Sequence, residues 1–384
     1  NVSGASSYTV YWDNATGVST SSTAITNVSD DNYTHTGLTG GATYYYKVVA
    51  VNSSGTGTLS SEDNATAGAS QLMGGSMHGT ELNLSGTIST IAGSGNAGDG
   101  STNDDGIGAA ANLRRPMGIT TDGTYLYVSD AKHKMGDGVN RIRRIEISSN
   151  NVTTFLDSDS GLDGPVGIVT DGTNLYVVDG STVKKIVIST KAVSTLNTGF
   201  LNKPKGITTD GTNLYVTLFG GNCIKKIVIA TEVTSTFAGH ENCTNGGNAD
   251  GIGTAARFEE PYGITLVGTN LYVADYYYNL IRKIEISNAN VSRLAGSSAG
   301  TVNSDNGTQA RFAGPMGITS DGTNLYVVDQ DTGTIRKVVI SSTAVSTVTG
   351  GGGSYLNHVT TDGLRFSVQS SMALNMNVDI HHGI

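Results

Sequence analysis

Residues 116–130 read PMGITTDGTYLYVSD, and the chain returns to this phrase again and again. It recurs as PVGIVTDGTNLYVVD from Pro165, PKGITTDGTNLYVTL from Pro204, PYGITLVGTNLYVAD from Pro261 and PMGITSDGTNLYVVD from Pro315. A degenerate sixth copy, HVTTDGLRFSV, starts at His358. After each of the first five comes a basic and apolar segment: RIRRIEIS, VKKIVIS, IKKIVIA, IRKIEIS or IRKVVIS. A Thr/Val-rich segment follows, such as NVTTFL from Asn151, AVSTL from Ala192 or EVTSTFAG from Glu232.

Apolar residues alternate with period two inside these segments, and Gly and Asp punctuate them. Each unit therefore predicts three or four short strands joined by tight turns. The repeat length, about 40 to 57 residues, is that of a propeller blade. TISTIAG, residues 87–93, matches the last strand of a blade but precedes the first full copy, whereas the sixth copy lacks such a strand. The early segment is expected to complete the last blade and close the ring, which removes exposed sheet edges. The expected fold class is all-β. A six-bladed β-propeller occupies residues 87–384, with five or seven blades as the other counts weighed, after a linker at 69–86 and a separate piece at 1–68.

Charged residues make up only 14% of the 384, while Gly reaches 52, which suits turn-rich β-structure. No window shows sustained helical periodicity. A net charge of −9 argues against nucleic acid, whose phosphates demand a concentrated positive face. No apolar run approaches the roughly 18 residues of a membrane span. The chain starts at Asn1 without Met or a signal peptide, so it reads as processed or excerpted from something longer. Cys223 and Cys243 flank one strand pair. They admit either a local disulfide in an oxidising compartment or two unpaired small side chains.

The longer stretches between repeats carry a further pattern. AGHENCTNGGNADGIGTAARFEEPYGI, from Ala238, spaces A-G, then D-G-x-G, then A-x-F-x-x-P-x-G-I; the stretches from Ala92 and Ala295 follow it. This resembles the NHL family of six-bladed propellers. The resemblance implies the fold and leaves function open, because function lives in sites grafted onto the ring.

Residues 1–68 differ. YTVYW, residues 8–12, and YTHTGLTGGATYYYKVVAVNSSGTG from Tyr33 resemble a bacterial fibronectin type III domain. The Leu38-to-Tyr44 spacing matches that family's tyrosine corner, and KVVAVN its long sixth strand. The family's first two strands are missing, so the expected β-sandwich is incomplete. Either the sequence is truncated upstream, the favoured reading, or another chain supplies the strands, which would build a polymer. MALNMNVDIHHGI at the C-terminus is a candidate donor, although a third strand for the sixth blade is the preferred reading of it.

Most candidate chemistry dissolves into the repeat. Asp122, Asp171, Asp210, Asp321 and Asp362 occupy the T-D-G turn, where Asp-Gly suits positive φ and a side-chain cap. Asp130, Asp179, Asp275 and Asp329 end the Y-V-x-D strand and read as structural acceptors. Some NHL propellers bind RNA on a basic face. Here Arg143-Arg144, Lys184-Lys185, Lys225-Lys226, Arg282-Lys283 and Arg336-Lys337 are adjacent pairs, whose members point to opposite sides of a strand. Pairing with the repeat's own carboxylates is the expected use.

No catalytic or cofactor-binding residue is assigned, since no G-x-S-x-G, Walker, C-x-x-C-H or H-E-x-x-H pattern occurs. For metals, GDGSTNDDG and NGGNADG gather oxygen ligands for calcium through Asp99, Asp104, Asp105 and Asp250. His358 is the histidine placed on an innermost strand, where a channel metal would want convergent ligands. Tyr276, Tyr277 and Tyr278 form the cluster that suggests an aromatic groove, with packing between blades as the commoner outcome.

The expectation is an extracellular or cell-surface protein without a membrane span. Its propeller would serve as a platform for protein or glycan partners, and its N-terminal domain for assembly into a filament or layer. The competing class is a metal-dependent propeller enzyme, a lyase or lactonase, with its site in the central channel.

Overall fold

Each full copy of the repeat folds as an antiparallel meander of four strands, the alternation of its apolar residues fixing the geometry. The structure, a computed structural model, describes residues 5–28, 43–53, 55–66, 91–93, 105–131, 140–350, 356–361 and 366–370. Two compact units divide the chain, Asn1–Ser70 and Gln71–Ile384.

In the second unit, blade 1 comprises Pro116–Thr121, Tyr125–Asp130, Arg141–Glu146 and Asn151–Leu156, with a short fifth strand, Gly106–Ile107, on its outer edge. Blade 2 comprises Pro165–Thr170, Asn174–Asp179, Thr182–Val187 and Val193–Thr195. Blade 3 comprises Pro204–Thr209, Asn213–Leu218, Cys223–Val228 and Thr234–Gly239. Blade 4 comprises Pro261–Val267, Asn270–Asp275, Leu280–Glu285 and Asn290–Ala295, with Gly251–Ile252 as its outer fifth strand. Blade 5 comprises Pro315–Ser320, Asn324–Asp329, Thr334–Val339 and Val345–Gly350. Blade 6 is described as the pair Leu356–Thr361 and Phe366–Ser370. The first strand of each blade packs beside the first strand of the next, and that of blade 6 packs beside that of blade 1. The ring is closed.

Period-two alternation explains why blades stack. On Asn174–Asp179, Leu175 and Val177 pack with Tyr127, Ile142 and Phe155 of blade 1. Tyr176 and Val178, on the opposite side, pack with Ile207, Leu214 and Val216 of blade 3. Both faces of the strand are apolar up to the buried aspartate that ends it, and each such aliphatic side chain contributes about 1.5–3 kcal/mol.

Ala92 is buried with Ala111, Leu113 and Ile119 of blade 1, as Ala238 is with Ala256, Phe258 and Ile264 of blade 4. Gly93 donates to the Gly108 carbonyl at 3.0 Å, as Gly296 does to that of Gly307 at 2.9 Å. Ala92-Gly93 thus holds the place that the end of a preceding blade's last strand holds elsewhere. Residues 87–90, the rest of the expected closing strand, lie outside the described residues, as do the linker at 69–86 and the C-terminal residues 371–384.

Glycine in P-x-G-I lets the inner strands approach. A Cβ on Gly167 would stand 2.2 Å from the Lys205 carbonyl oxygen, a backbone atom that cannot swing aside. Gly167→Ala is expected to destabilise the ring by about 1–3 kcal/mol, seen as a lower urea midpoint. An unchanged midpoint would mean that the inner strands shift without cost.

The T-D-G aspartates act within their turns. Asp171 Oδ1 accepts from the Thr173 and Asn174 amides at 2.9 and 2.6 Å, and Oδ2 from the Tyr176 hydroxyl at 3.0 Å. Asp122, Asp210 and Asp321 repeat this. Burial, reinforced by Asp171, pushes the Tyr176 hydroxyl well above its ordinary range. Asp362 lies outside the described residues.

In the first unit, Ser7–Asp13 pairs with Thr23–Val28 on one side and Thr43–Asn52 on the other. Gly55–Thr56 and Asp63–Thr66 pair with Thr43–Asn52 in turn. Val10, Tyr44 and Val49 are buried, and the Trp12 and Tyr44 rings lie 5.6 Å apart. Among the described residues this unit has one sheet. Leu38, the partner in the expected tyrosine corner, lies outside them.

Candidate functional site

The second residue of P-x-G-I varies with a pattern. Blades 1, 2 and 5 place Met117, Val166 and Met316 there, but blade 3 has Lys205 and blade 4 has Tyr262. Strands one and three of a blade run one way, and strands two and four return. The chain therefore leaves each blade and begins the next at a single end of the ring. Lys205 and Tyr262 stand at this linker end, each at the start of an inner strand.

Neighbouring backbone holds them in place. Thr217, where blades 2, 4 and 5 have Val178, Ala274 and Val328 and blade 1 has Ser129, donates through Oγ1 to the Tyr262 carbonyl at 2.6 Å and accepts from the Gly206 amide at 2.8 Å. Asn222 of blade 3 accepts from the Glu260 amide at 2.9 Å. Two hydrogen bonds thus cross the seam between blades 3 and 4, beside the variable position.

Aromatic rings gather at this seam. Phe219, just past the second strand of blade 3, lies 6.1 Å from the Tyr262 ring and 6.3 Å from that of Tyr276. Lys205 Nζ lies 5.7 Å from the Tyr262 centroid and 6.0 Å from that of Phe219, at the outer limit of cation–π attraction. Burial, then the positive charges of Arg115 and Lys203, pull the Lys205 ammonium below its ordinary range. Burial pushes the Tyr262 hydroxyl up to about 12, with Arg115 opposing. Arg115 belongs to blade 1, so its field reaches side chains of blades 3 and 4 across the mouth of the ring. Asp130 fixes the backbone under it by accepting from the Arg114 and Arg115 amides at 2.9 and 2.8 Å.

Tyr276, Tyr277 and Tyr278 divide between the two expected outcomes. Tyr276 packs on Phe219 across the seam, whereas Tyr277 is 60% exposed and stacks edgewise on Tyr278. Phe200, in the linker from blade 2 to blade 3, is 79% exposed at this same end of the ring. The motif search missed Lys205, Tyr262, Phe219, Arg115 and Phe200. A signal existed: Lys205 and Tyr262 depart from the apolar residues that blades 1, 2 and 5 place at this repeat position.

The calcium candidates have other partners. Asp250 accepts from Arg282 Nη2 at 2.7 Å, and Asp105 from Arg143 Nη2 at 2.8 Å. In blade 5, Asn303 takes this place against Arg336 Nη2 at 2.8 Å. The other nitrogen of Arg282 meets Asp275 at 3.1 Å, and that of Arg336 meets Asp329 at 3.1 Å. Phe258 and Phe312 rings lie 5.2 and 5.1 Å from these two guanidinium carbons. The first member of a basic pair is thus an arginine clamp in blades 1, 4 and 5, which follow the long linkers. After the short linkers it is Lys184 or Lys225, each donating to a threonine at 2.8 Å.

Asp99 and Asp104 lie outside the described residues. His358 lies on the inner strand of blade 6. Among the described residues no three His, Cys, Asp or Glu side chains gather to hold a metal. None of their helices is long and apolar enough to cross a membrane. Cys223 and Cys243 are joined as a disulfide, their Cα atoms 5.3 Å apart.

A closed ring of antiparallel blades defines a β-propeller protein, here with a cationic and aromatic cluster at one mouth. No family model matches the chain. A stretch of 105 residues is 32% identical to human NHL repeat-containing protein 2, covering 26% of this chain and only 14% of that protein. Among solved structures, a protein of unknown function from Bacteroides thetaiotaomicron is 19% identical, with 97% of this chain and 90% of that one covered, at a TM-score of 0.58. A virginiamycin B lyase from Staphylococcus aureus is 16% identical, with 66% and 77% covered, at a TM-score of 0.46. These structural likenesses concern the fold alone.

Proposed function

We propose that this chain is an extracellular binding protein whose propeller holds a glycan at the linker end of the ring, along the seam between blades 3 and 4. The observation that carries this reading is the set of rings at that end: Phe219 and Tyr276 half-buried at the seam, Tyr277 exposed next to Tyr276 in the chain, and Phe200 exposed in the linker from blade 2 to blade 3. A ring with an open face offers a flat apolar surface at small conformational cost, which suits the apolar face of a sugar. The disulfide supports an oxidising compartment.

Affinity electrophoresis through gels containing neutral or acidic polysaccharides tests this. The wild type is expected to be retarded by at least one polysaccharide, and the pair Phe200→Ala and Tyr277→Ala to lose about tenfold in affinity. Equal retardation of wild type and variant would remove the exposed rings Phe200 and Tyr277 from the binding surface.

Self-assembly through the N-terminal unit is the narrower part of the proposal. It is supported by the edge strand Thr23–Val28, which pairs on one side only among the described residues. Sedimentation velocity tests it, since a concentration-independent monomer would exclude it.

A further inference from the structure

The Lys205 side of the cluster at the ring mouth holds no ion-paired carboxylate among the described residues. Lys205 Nζ has no hydrogen-bond acceptor or carboxylate partner among the described residues, and its near charges are the cations Arg115 and Lys203. Arg115 is exposed and likewise makes no ion pair with a described residue. Tyr262 is 6% exposed, and its hydroxyl bonds to no described residue. A half-buried ammonium beside two like charges carries a desolvation cost that neighbouring rings offset only in part. Met117 and Met316 show that the repeat accommodates an apolar residue of similar length at this position. Packing does not require the charge. Lys205 Nζ lies 5.7 Å from the Tyr262 ring, and the charge of the exposed Arg115 bears on both, so blades 1, 3 and 4 each bring one donor to this end of the ring.

We infer that Lys205, Arg115 and the Tyr262 hydroxyl together bind a carboxylate or sulfate group of an acidic sugar. The inference rests on the glycan reading and gives it a charge. The anion would sit over the edge of the Tyr262 ring, which is its positive part, while Phe219 and Tyr276 bound the sugar. The net charge of −9 repels a dense polyanion at long range, which favours a short ligand with spaced charges over nucleic acid. The acids near this end, Glu260 and Asp331, act on Tyr276. They lend the mouth a polar axis, with the cationic side at blades 1 and 3.

Isothermal titration calorimetry on the full chain decides this, with trisaccharides of galacturonate, of mannuronate and of sulfated galactose, and neutral galactotriose as control. At least one acid is expected to bind ten or more times tighter than the neutral sugar. Lys205→Met, which copies blades 1 and 5, is expected to lower that affinity tenfold or more and to lower neutral-sugar affinity far less, so that the preference for the acid narrows. Arg115→Gln, at an exposed position where folding is not at stake, is expected to act in the same direction. Equal binding of acidic and neutral sugars, or an acid affinity untouched by both substitutions, would overturn the inference while the glycan reading stands. Acid binding that needs Lys205 but ignores Phe200→Ala with Tyr277→Ala would uphold the anion site and remove the two exposed rings from the glycan surface. If no sugar of the set binds, both readings fall.

Discussion

Arg282→Ala is expected to lower the unfolding free energy by about 3–5 kcal/mol. Arg282 and Asp275 are both fully buried, and the guanidinium also binds Asp250 and the carbonyls of Arg257 and Ala249, at 2.9 and 3.1 Å. Truncation strands Asp275 in the blade and releases the linker that Arg282 gathers. Lys184→Ala, at the equivalent place in blade 2, loses one exposed hydrogen bond, so an effect under about 1 kcal/mol is expected there. Urea titration followed by tyrosine fluorescence and far-ultraviolet dichroism separates the two, since the single tryptophan, Trp12, belongs to the first unit. Equal, small shifts would show that the clamp is decorative.

The clamp also sets a pH dependence. Burial pushes the Asp275 carboxyl up to about 7 and that of Asp329 up to about 6, against the pull of Arg282 and Arg336. A folded value above the unfolded one, about 4, means that the folded chain holds the proton across the interval. This contribution favours folding most at the acid end and is lost as pH rises from about 4 to about 7. The stability of wild type relative to Asp275→Asn, which has no proton there to lose, is therefore expected to increase as pH falls from 7.5 to 5. The Arg282→Ala deficit is expected to narrow over the same range, because protonation neutralises the stranded carboxylate. A constant difference between wild type and Asp275→Asn would show that the carboxyl does not titrate there.

The second large effect concerns blade 3. Its second strand ends in Leu218 where blades 1, 2, 4 and 5 have aspartate, so no carboxylate gathers the chain at this corner. Leu218 and Cys223 are buried together, and Cys243 packs against them. The disulfide spans 20 residues and ties the start of the third strand to the linker that follows the blade. Replacing both cysteines by alanine is expected to destabilise the protein by about 3 kcal/mol, the scale of closing a loop of this length. Reduction of the wild type with dithiothreitol before the same urea titration is expected to reproduce most of the drop. A midpoint unmoved by either treatment would leave the apolar packing of Leu218 as the element that holds this corner.

The blade count and the order of strands were legible because they are periodic. A repeat such as TDGTNLYVVD states its turn, its two-faced burial and its length in ten residues, and five copies state it five times. The same periodicity marked Asp122, Asp171, Asp210 and Asp321 as turn caps, and each caps its turn. It also marked the basic pairs as partners of carboxylates. It did not show that Asp105 and Asp250 serve as those partners, because their linkers meet Arg143 and Arg282 only after the blade has folded. GDGSTNDDG and NGGNADG offered calcium ligands by composition, with plain turns as the commoner reading; the structure adds that Asp105 and Asp250 accept from Arg143 and Arg282.

Local order, then, was written in the chain: which segments are strands, which faces are apolar, where turns fall, and that the units close on one another. Those properties depend on neighbours within a few residues and on alternation, both visible in one dimension. The mouth of the ring was not written there. Arg115, Lys205 and Tyr262 are far apart in sequence and unremarkable singly, and closure of the ring alone brings their fields together. The tertiary structure decided the candidate site because a propeller assembles its end from one residue of each blade.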